Sequence, residues 1–206
     1  MQVITTPLEG LLVLEPKVYG DARGFFLESW NARDFARATG VQANFVQDNH
    51  SRSRCGVLRG LHYQRVHPQG KLVRVTVGRV WDVVVDLRAD SPGFGQHFAC
   101  ELSAENHRQM WIPPGFAHGF LVLSESADFL YKTTAYWMPE HERALLWNDP
   151  ALGIAWPLEE LHATLTRDAL AGAASGLLPA PATLPSLAAR DAAAPTLAVL
   201  QAEGQL

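Results

Sequence analysis

Arg59 and His62 stand three positions apart in Gly56-Val57-Leu58-Arg59-Gly60-Leu61-His62, a cation and an imidazole set into one short apolar run. A half-buried strand alternates apolar and polar residues, and Val57, Leu58 and Leu61 supply the apolar part. Arg59 and His62 interrupt the alternation, and a charge taken out of water is costly unless a partner or ligand meets it. Polar side chains continue at Gln64, His67 and Lys71, the last of them ahead of a strand-like run over residues 72–77. A second cluster, Pro113-Pro114-Gly115-Phe116-Ala117-His118-Gly119-Phe120, sets another histidine after a turn and inside an aromatic stretch. Two histidines that each open a β-like run describe a polar pocket inside a barrel.

Two chemistries compete for such a pocket. A metal site on this kind of scaffold usually takes His-x-His with a carboxylate, plus a third histidine on another strand. Here the first element reads His62-Tyr63-Gln64, Pro68 stands where a carboxylate would help, and only His118 fits the second element, so no metal is expected. The other chemistry is metal-free acid–base catalysis. A neutral imidazole is a natural base for a proton of moderate acidity, such as one next to a ketone. It needs an acceptor, commonly a carboxylate, to orient its second nitrogen. It also needs a cation where an enolate develops, for which Lys71 is the candidate, and a donor on the opposite face, for which Tyr131 in Leu130-Tyr131-Lys132-Thr133 is placed. Arg23 and Arg59 offer planar forks suited to the oxygens of a diphosphate.

The elements that must hold these groups are mostly short strands. Residues 11–14, 24–28, 41–46, 72–77, 80–87, 97–102, 109–112, 120–123 and 129–136 read as strands separated by Gly and Pro signals. One early helix is predicted over residues 31–39, capped by Asn31, packed through Phe35 and stopped by Gly40. This spacing indicates a mainly β protein, a cupin-type jelly-roll β-barrel with a few short helices. The barrel domain is placed at residues 1–170. Residues 171–206 form an Ala-, Pro- and Leu-rich C-terminal extension, part of it read as a mobile appendage. Leu165-Thr166-Arg167-Asp168-Ala169 and Ala188-Ala189-Arg190-Asp191-Ala192 look alike, as though one short element had been duplicated.

Composition sets the outer bounds. With 206 residues, 48% hydrophobic content and a formal net charge of -4, the chain is an ordinary globular protein large enough to bury a core. The weakly negative balance speaks against nucleic acid as a partner, and no apolar run approaches a membrane span. Nothing near Met1 reads as a signal peptide, and the two cysteines, Cys55 and Cys100, are too few for a disulfide framework. The expected location is a reducing cytoplasm.

Across residues 3–157 the chain closely resembles the dTDP-4-dehydrorhamnose 3,5-epimerase family and its relatives in deoxysugar biosynthesis. The resemblance rests on Asp21-Ala22-Arg23-Gly24-Phe25-Phe26, Gln47-Asp48-Asn49-His50-Ser51, the run from Gly56 through Gln64, and Val80-Trp81-Asp82-Val83-Val84-Val85-Asp86-Leu87-Arg88. It continues through Pro114-Gly115-Phe116-Ala117-His118-Gly119-Phe120 and Tyr131-Lys132-Thr133-Thr134. It implies that His62 removes protons at C3 and C5 of a dTDP-linked 4-keto-6-deoxysugar, that Tyr131 returns a proton on the other face, and that Lys71 lies near the C4 oxygen. By the same likeness Arg23, Glu28, Gln47, Asn49, Arg59 and His118 line the nucleotide-sugar site, with Phe25 or Phe26 near the thymine. No metal or coenzyme is implied. A homodimer is, with the N-terminal segment of each subunit reaching its partner's site.

Two departures from the family pattern stand out. Trp137 occupies a position where many members carry a stacking tyrosine, and an indole can stack as well. The aspartate that orients the base falls, in the family, in a Leu-Ser-x-Arg/Lys-Asp segment about a dozen residues after Trp-Pro. Spacing from Trp156-Pro157 selects Asp168, whereas the local wording around Arg190 selects Asp191. Asp168 is preferred, because the shorter connection closes at lower entropy.

Overall fold

The computed structural model describes residues 1–163, 165 and 185–206. Strands are numbered in chain order. One antiparallel sheet has six strands in the order β1 (Gln2–Thr5), β2 (Leu12–Glu15), β10 (Gln109–Ile112), β7 (Lys71–Val77), β12 (Ser126–Thr133) and β5 (Gln47–Arg54). The other has five, in the order β13 (Glu142–Ala144), β6 (Leu58–Gln64), β11 (Phe116–Val122), β8 (Arg79–Asp86) and β9 (His97–Ser103). A separate two-stranded ribbon joins β3 (Val18–Asp21) to β4 (Gly24–Leu27). Val73, Val75 and Phe129 from the first sheet pack against Val80, Val84 and Phe120 from the second, so the main core lies between the sheets. This is the jelly-roll arrangement that the turn spacing indicated.

The predicted helix is present as α1 (Ala32–Thr39). The Asn31 side chain accepts from the Asp34 N–H, Phe35 is fully buried, and Gly40 turns left-handed at φ 74°. Residues 41–46, expected as a strand, instead run as irregular chain ahead of β5. Val41, Ala43 and Phe45 still bury one face, against Leu14, Phe35 and Trp111. Their alternation reports an extended chain with a buried side, and says nothing about whether the backbone finds a ladder partner. The strand itself, β5, reads Gln-Asp-Asn-His-Ser-Arg-Ser-Arg and alternates half-buried and exposed with no apolar residue. Hydrophobic periodicity has nothing to detect there.

A register shift in the β6–β11 ladder accounts for the odd spacing of Arg59 and His62. His118 pairs with His62 and Phe120 with Arg59, so Gly60 and Leu61 together oppose the single residue Gly119. A bulge of this kind resets the two-residue alternation. Leu58, Leu61 and Tyr63 therefore all join apolar clusters on one face, which leaves Arg59, His62 and Gln64 to the other. Gly60 sits at φ 115°, and a Cβ there would lie 2.6 Å from the Gly119 Cα.

Within the C-terminal extension, residues 185–206 pack onto the barrel. Ser186 bridges to Val57, accepting from the Leu58 N–H at 2.9 Å and donating to the Gly56 carbonyl at 2.8 Å. Two short helices follow, α2 (Ala189–Ala192) and α3 (Leu197–Ala202). Leu197 and Leu200 enter the apolar cluster of Leu61, Tyr63, Val83 and Val85, and the Tyr63 hydroxyl donates to the Gln205 carbonyl at 3.0 Å.

Candidate active site

His62 comes from β6 in the five-stranded sheet, and its side chain is 22% exposed. Its Nε2 lies 2.7 Å from Asp191 Oδ1, and the second carboxylate oxygen accepts from the Gly60 N–H at 3.3 Å. Asp191 is nearly fully buried. Burial pushes its carboxyl upward, but the hydrogen bond and charge of His62, the Gly60 N–H and Arg190 outweigh that and hold it below the ordinary carboxylate range. An ionised carboxylate accepts only, so Nε2 carries the proton of this bond and Nδ1 is left as the basic nitrogen. The sequence preference for Asp168 is thus not what the geometry selects: Asp191 holds His62, while Asp168 lies outside the described residues.

The remaining polar groups converge from both sheets. Lys71 begins β7 and is 9% exposed, with its Nζ 3.5 Å from the His62 carbonyl. Burial lowers its pKa to about 8, against the opposing pull of Glu142 and Asp82. His118, next to His62 in the ladder, places Nε2 at 3.0 and 3.1 Å from the two carboxylate oxygens of Asp82, which is completely buried. Burial raises the Asp82 carboxyl, opposed by His118 and Lys71. Tyr131 stands on β12 in the other sheet, beside Asn49 and Val73 in the ladders. Burial and the nearby Glu142 raise its hydroxyl above the usual range, against Arg59. An aromatic column forms the floor between the two sides: Phe120 and Phe129 stack at 4.1 Å, with His118 at 5.8 Å and Tyr131 at 6.2 Å from Phe129.

Side chains of β5 complete the rim. Gln47 donates to Asn49 at 2.9 Å and accepts from the Trp137 N–H at 3.0 Å, tying the exposed indole's backbone to the strand. Gln64, which the sequence reading gave no role, accepts from the Met138 N–H at 2.9 Å and donates to the His67 and Tyr136 carbonyls. Arg59 donates to the Ser53 hydroxyl at 2.9 Å. Gln64 and Ser53 are buried polar residues inside strands, and only their partners reveal that they position the site.

The ribbon residues are not brought to this cluster within the chain. Arg23 pairs with Asp21 at 2.6 Å, both well exposed, and lines with Phe25 and Phe26 a concavity of its own. Phe25 is 63% and Phe26 68% exposed. Glu28 accepts from the Asn31 amide at 3.2 Å. Among the described residues, no hydrogen bond, ion pair or ring contact joins these four to His62, Lys71 or Tyr131. Nor does any group of three His, Cys, Asp or Glu side chains converge there as a metal-binding set.

Comparison with known proteins places these features in a family. The model of the family described as dTDP-4-dehydrorhamnose 3,5-epimerase matches residues 5–198. The chain is 61% identical over 160 residues to the dTDP-4-dehydrorhamnose 3,5-epimerase of Pseudomonas aeruginosa, covering 78% of this chain and 88% of that protein. Among solved structures it resembles the dTDP-6-deoxy-D-glucose-3,5-epimerase of Legionella pneumophila in complex with dTDP-4-keto-L-rhamnose, at 46% identity and TM-score 0.83 over 98% of this chain and 95% of that one. A 3'-monoepimerase of Streptomyces bikiniensis, in complex with dTDP-quinovose, is similar at 31% identity and TM-score 0.82, over 100% and 92% of the two chains.

Proposed function

The chain belongs to the dTDP-4-dehydrorhamnose 3,5-epimerase family, and on that premise we propose that it inverts C3 and C5 of dTDP-4-dehydro-6-deoxy-D-glucose by proton abstraction at His62 and return from Tyr131. The observation that carries this reading is the placement of the two groups. A histidine oriented by a buried carboxylate stands on one sheet, and a tyrosine on the facing sheet. A proton leaves one face of the carbon to Nδ1 of His62, and the C–H electron pair moves into the C4 oxygen as an enolate. Lys71, in its cationic form, steadies that oxygen. Reprotonation by the Tyr131 hydroxyl from the opposite face inverts the centre, and the phenolate recovers its proton before the next cycle. Asp191 steadies the imidazolium formed in the first step.

The nucleotide is assigned to Arg23, Phe25, Phe26, Glu28, Gln47, Asn49, Arg59, His118 and Trp137. Four of these stand apart from His62 within one chain, and the exposed rings of the ribbon support a homodimer in which each ribbon completes the partner's site. The same reading places the enzyme in the cytoplasm, in keeping with its two cysteines. Inversion at both carbons is supported by the higher identity to the Pseudomonas aeruginosa and Legionella pneumophila 3,5-epimerases, 61% and 46%, than to the 3'-monoepimerase, 31%.

Turnover in deuterated water tests the proposal. Deuterium is expected at both C3 and C5, and His62→Asn is expected to lose roughly 10²–10⁴-fold in rate at each. Label at one carbon only would make the protein a single-carbon epimerase. Tight dTDP binding without any exchange would make it a nucleotide-sugar-binding cupin.

A further inference from the structure

Among the described residues, Arg190 is the cation that reaches both members of the His62–Asp191 pair. Its Nη1 donates to Glu142 Oε2 at 2.6 Å, its Nε lies 3.4 Å from Asp191 Oδ1, and its Nη2 lies 3.4 Å from His62 Nε2. The last contact is not a hydrogen bond. Guanidinium only donates, and Nε2 already donates to Asp191, so two positive edges face each other. Asp191 sets a negative charge 2.7 Å from Nε2, and Arg190 sets a positive one 3.4 Å from the same nitrogen.

We propose that Arg190 is a positioning residue for the reaction, clamped by Glu142, which keeps Asp191 aligned on His62 and favours the uncharged form of the imidazole. This deepens the proposed function and rests on His62 being the base. A base that serves two carbons must shed its first proton before it takes a second, and a neighbouring cation assists that release. The other charged and titratable groups around His62 hold fixed partners or lie beyond its backbone. Arg59 on the same strand donates to Ser53. Lys71 on β7 approaches the His62 carbonyl, not its ring. His118 on β11 is paired with Asp82 of β8, and Glu142 and Arg143 on β13 bind Arg190 and Gln205. Among the described residues, Arg190 and Asp191 are thus the charges that bear on Nε2 directly.

The test is the pH dependence of kcat/KM in Arg190→Gln and Arg190→Lys, on the full-length enzyme with its dTDP-4-keto-6-deoxysugar substrate. In the glutamine variant the acid limb should move to higher pH by roughly half a unit, the scale of one charge near the surface a few ångströms away. The lysine variant should keep the limb in place while kcat falls, because the charge remains and the planar clamp between Glu142 and Asp191 is lost. An unmoved acid limb in Arg190→Gln overturns the proposal, as does an equal movement in both variants. Should the glutamine variant not fold, Arg190→Met keeps the apolar stem and carries the same expectation and the same refutation. His62→Asn separates the two levels. Retained proton exchange in that variant removes the base assignment itself, whereas its loss together with an unmoved limb in Arg190→Gln removes only the role of Arg190.

Discussion

Asp191 follows His62 by 129 positions, yet its carboxylate lies 2.7 Å from the imidazole Nε2. The shorter connection to Asp168 is favoured by chain entropy, but only weakly. Loop-closure cost grows with the logarithm of length, so roughly tripling the connection from Pro157 adds about 1 kcal/mol. Burying Leu197 and Leu200, 8% and 2% exposed, contributes more than that, at roughly 1.5–3 kcal/mol for each fully buried side chain. The pairing of Ser186 with β6 then delivers α2 beside the bulge at Gly60.

Replacing that carboxylate should separate the two aspartates. Asp191→Asn is expected to slow proton exchange by up to roughly 10⁴-fold, the scale on which replacing the aspartate that orients a catalytic histidine acts. Asp168→Asn should exchange at the parent rate, and the opposite ranking would transfer the role to Asp168. The carboxyl of Asp191 is held below its ordinary value of 3.8, so its contribution to stability is present above that value and is lost as pH falls through the lowered one. Acid unfolding followed by tryptophan fluorescence should therefore begin at higher pH in Asp191→Asn.

Lys71 should set a basic limb. Its pKa is lowered to about 8 by burial, so the cation proposed to steady the enolate disappears as pH rises past that point, and kcat should fall there. Lys71→Gln should lose the limb together with most of the rate. Stability runs the other way. A lysine depressed from 10.5 binds fewer protons folded than unfolded, so this group's contribution grows from about pH 8 upward. A wild-type profile flat through pH 9 would contradict the assignment.

Tyr131→Phe keeps the ring against Phe129 and removes only the donor. Affinity for dTDP should stay within about twofold while turnover falls by roughly 10²–10⁴. Loss of affinity with an unchanged rate would make Tyr131 a binding residue.

Leu200→Ala tests whether the C-terminal segment belongs to the cooperative fold. The side chain is 2% exposed in the cluster that includes Leu61 and Val83. Truncation should cost about 2–5 kcal/mol in urea unfolding. An unchanged midpoint would mean that this segment detaches separately from the barrel.

Many residues of the candidate site were legible in the sequence because local chemistry marks them. His62, Lys71, His118 and Tyr131 announce themselves as polar groups inside apolar runs, and the caps of α1 follow from Asn31 and Gly40. β5 was not legible, because its inward residues Gln47, Asn49, Ser51 and Ser53 are polar, which removes the apolar signal that marks a strand. The odd spacing of Arg59 and His62 was visible, but its cause was not. The bulge at Gly60 and Leu61 exists only relative to Gly119 on the neighbouring strand. The partner of His62 likewise needed the tertiary structure. Spacing from Trp156-Pro157 and the local wording around Arg190 point to different aspartates, and Asp191 reaches His62 because Leu197 and Leu200 pack against Leu61, Tyr63, Val83 and Val85, a long-range packing energy that the Arg-Asp-Ala segment does not contain by itself.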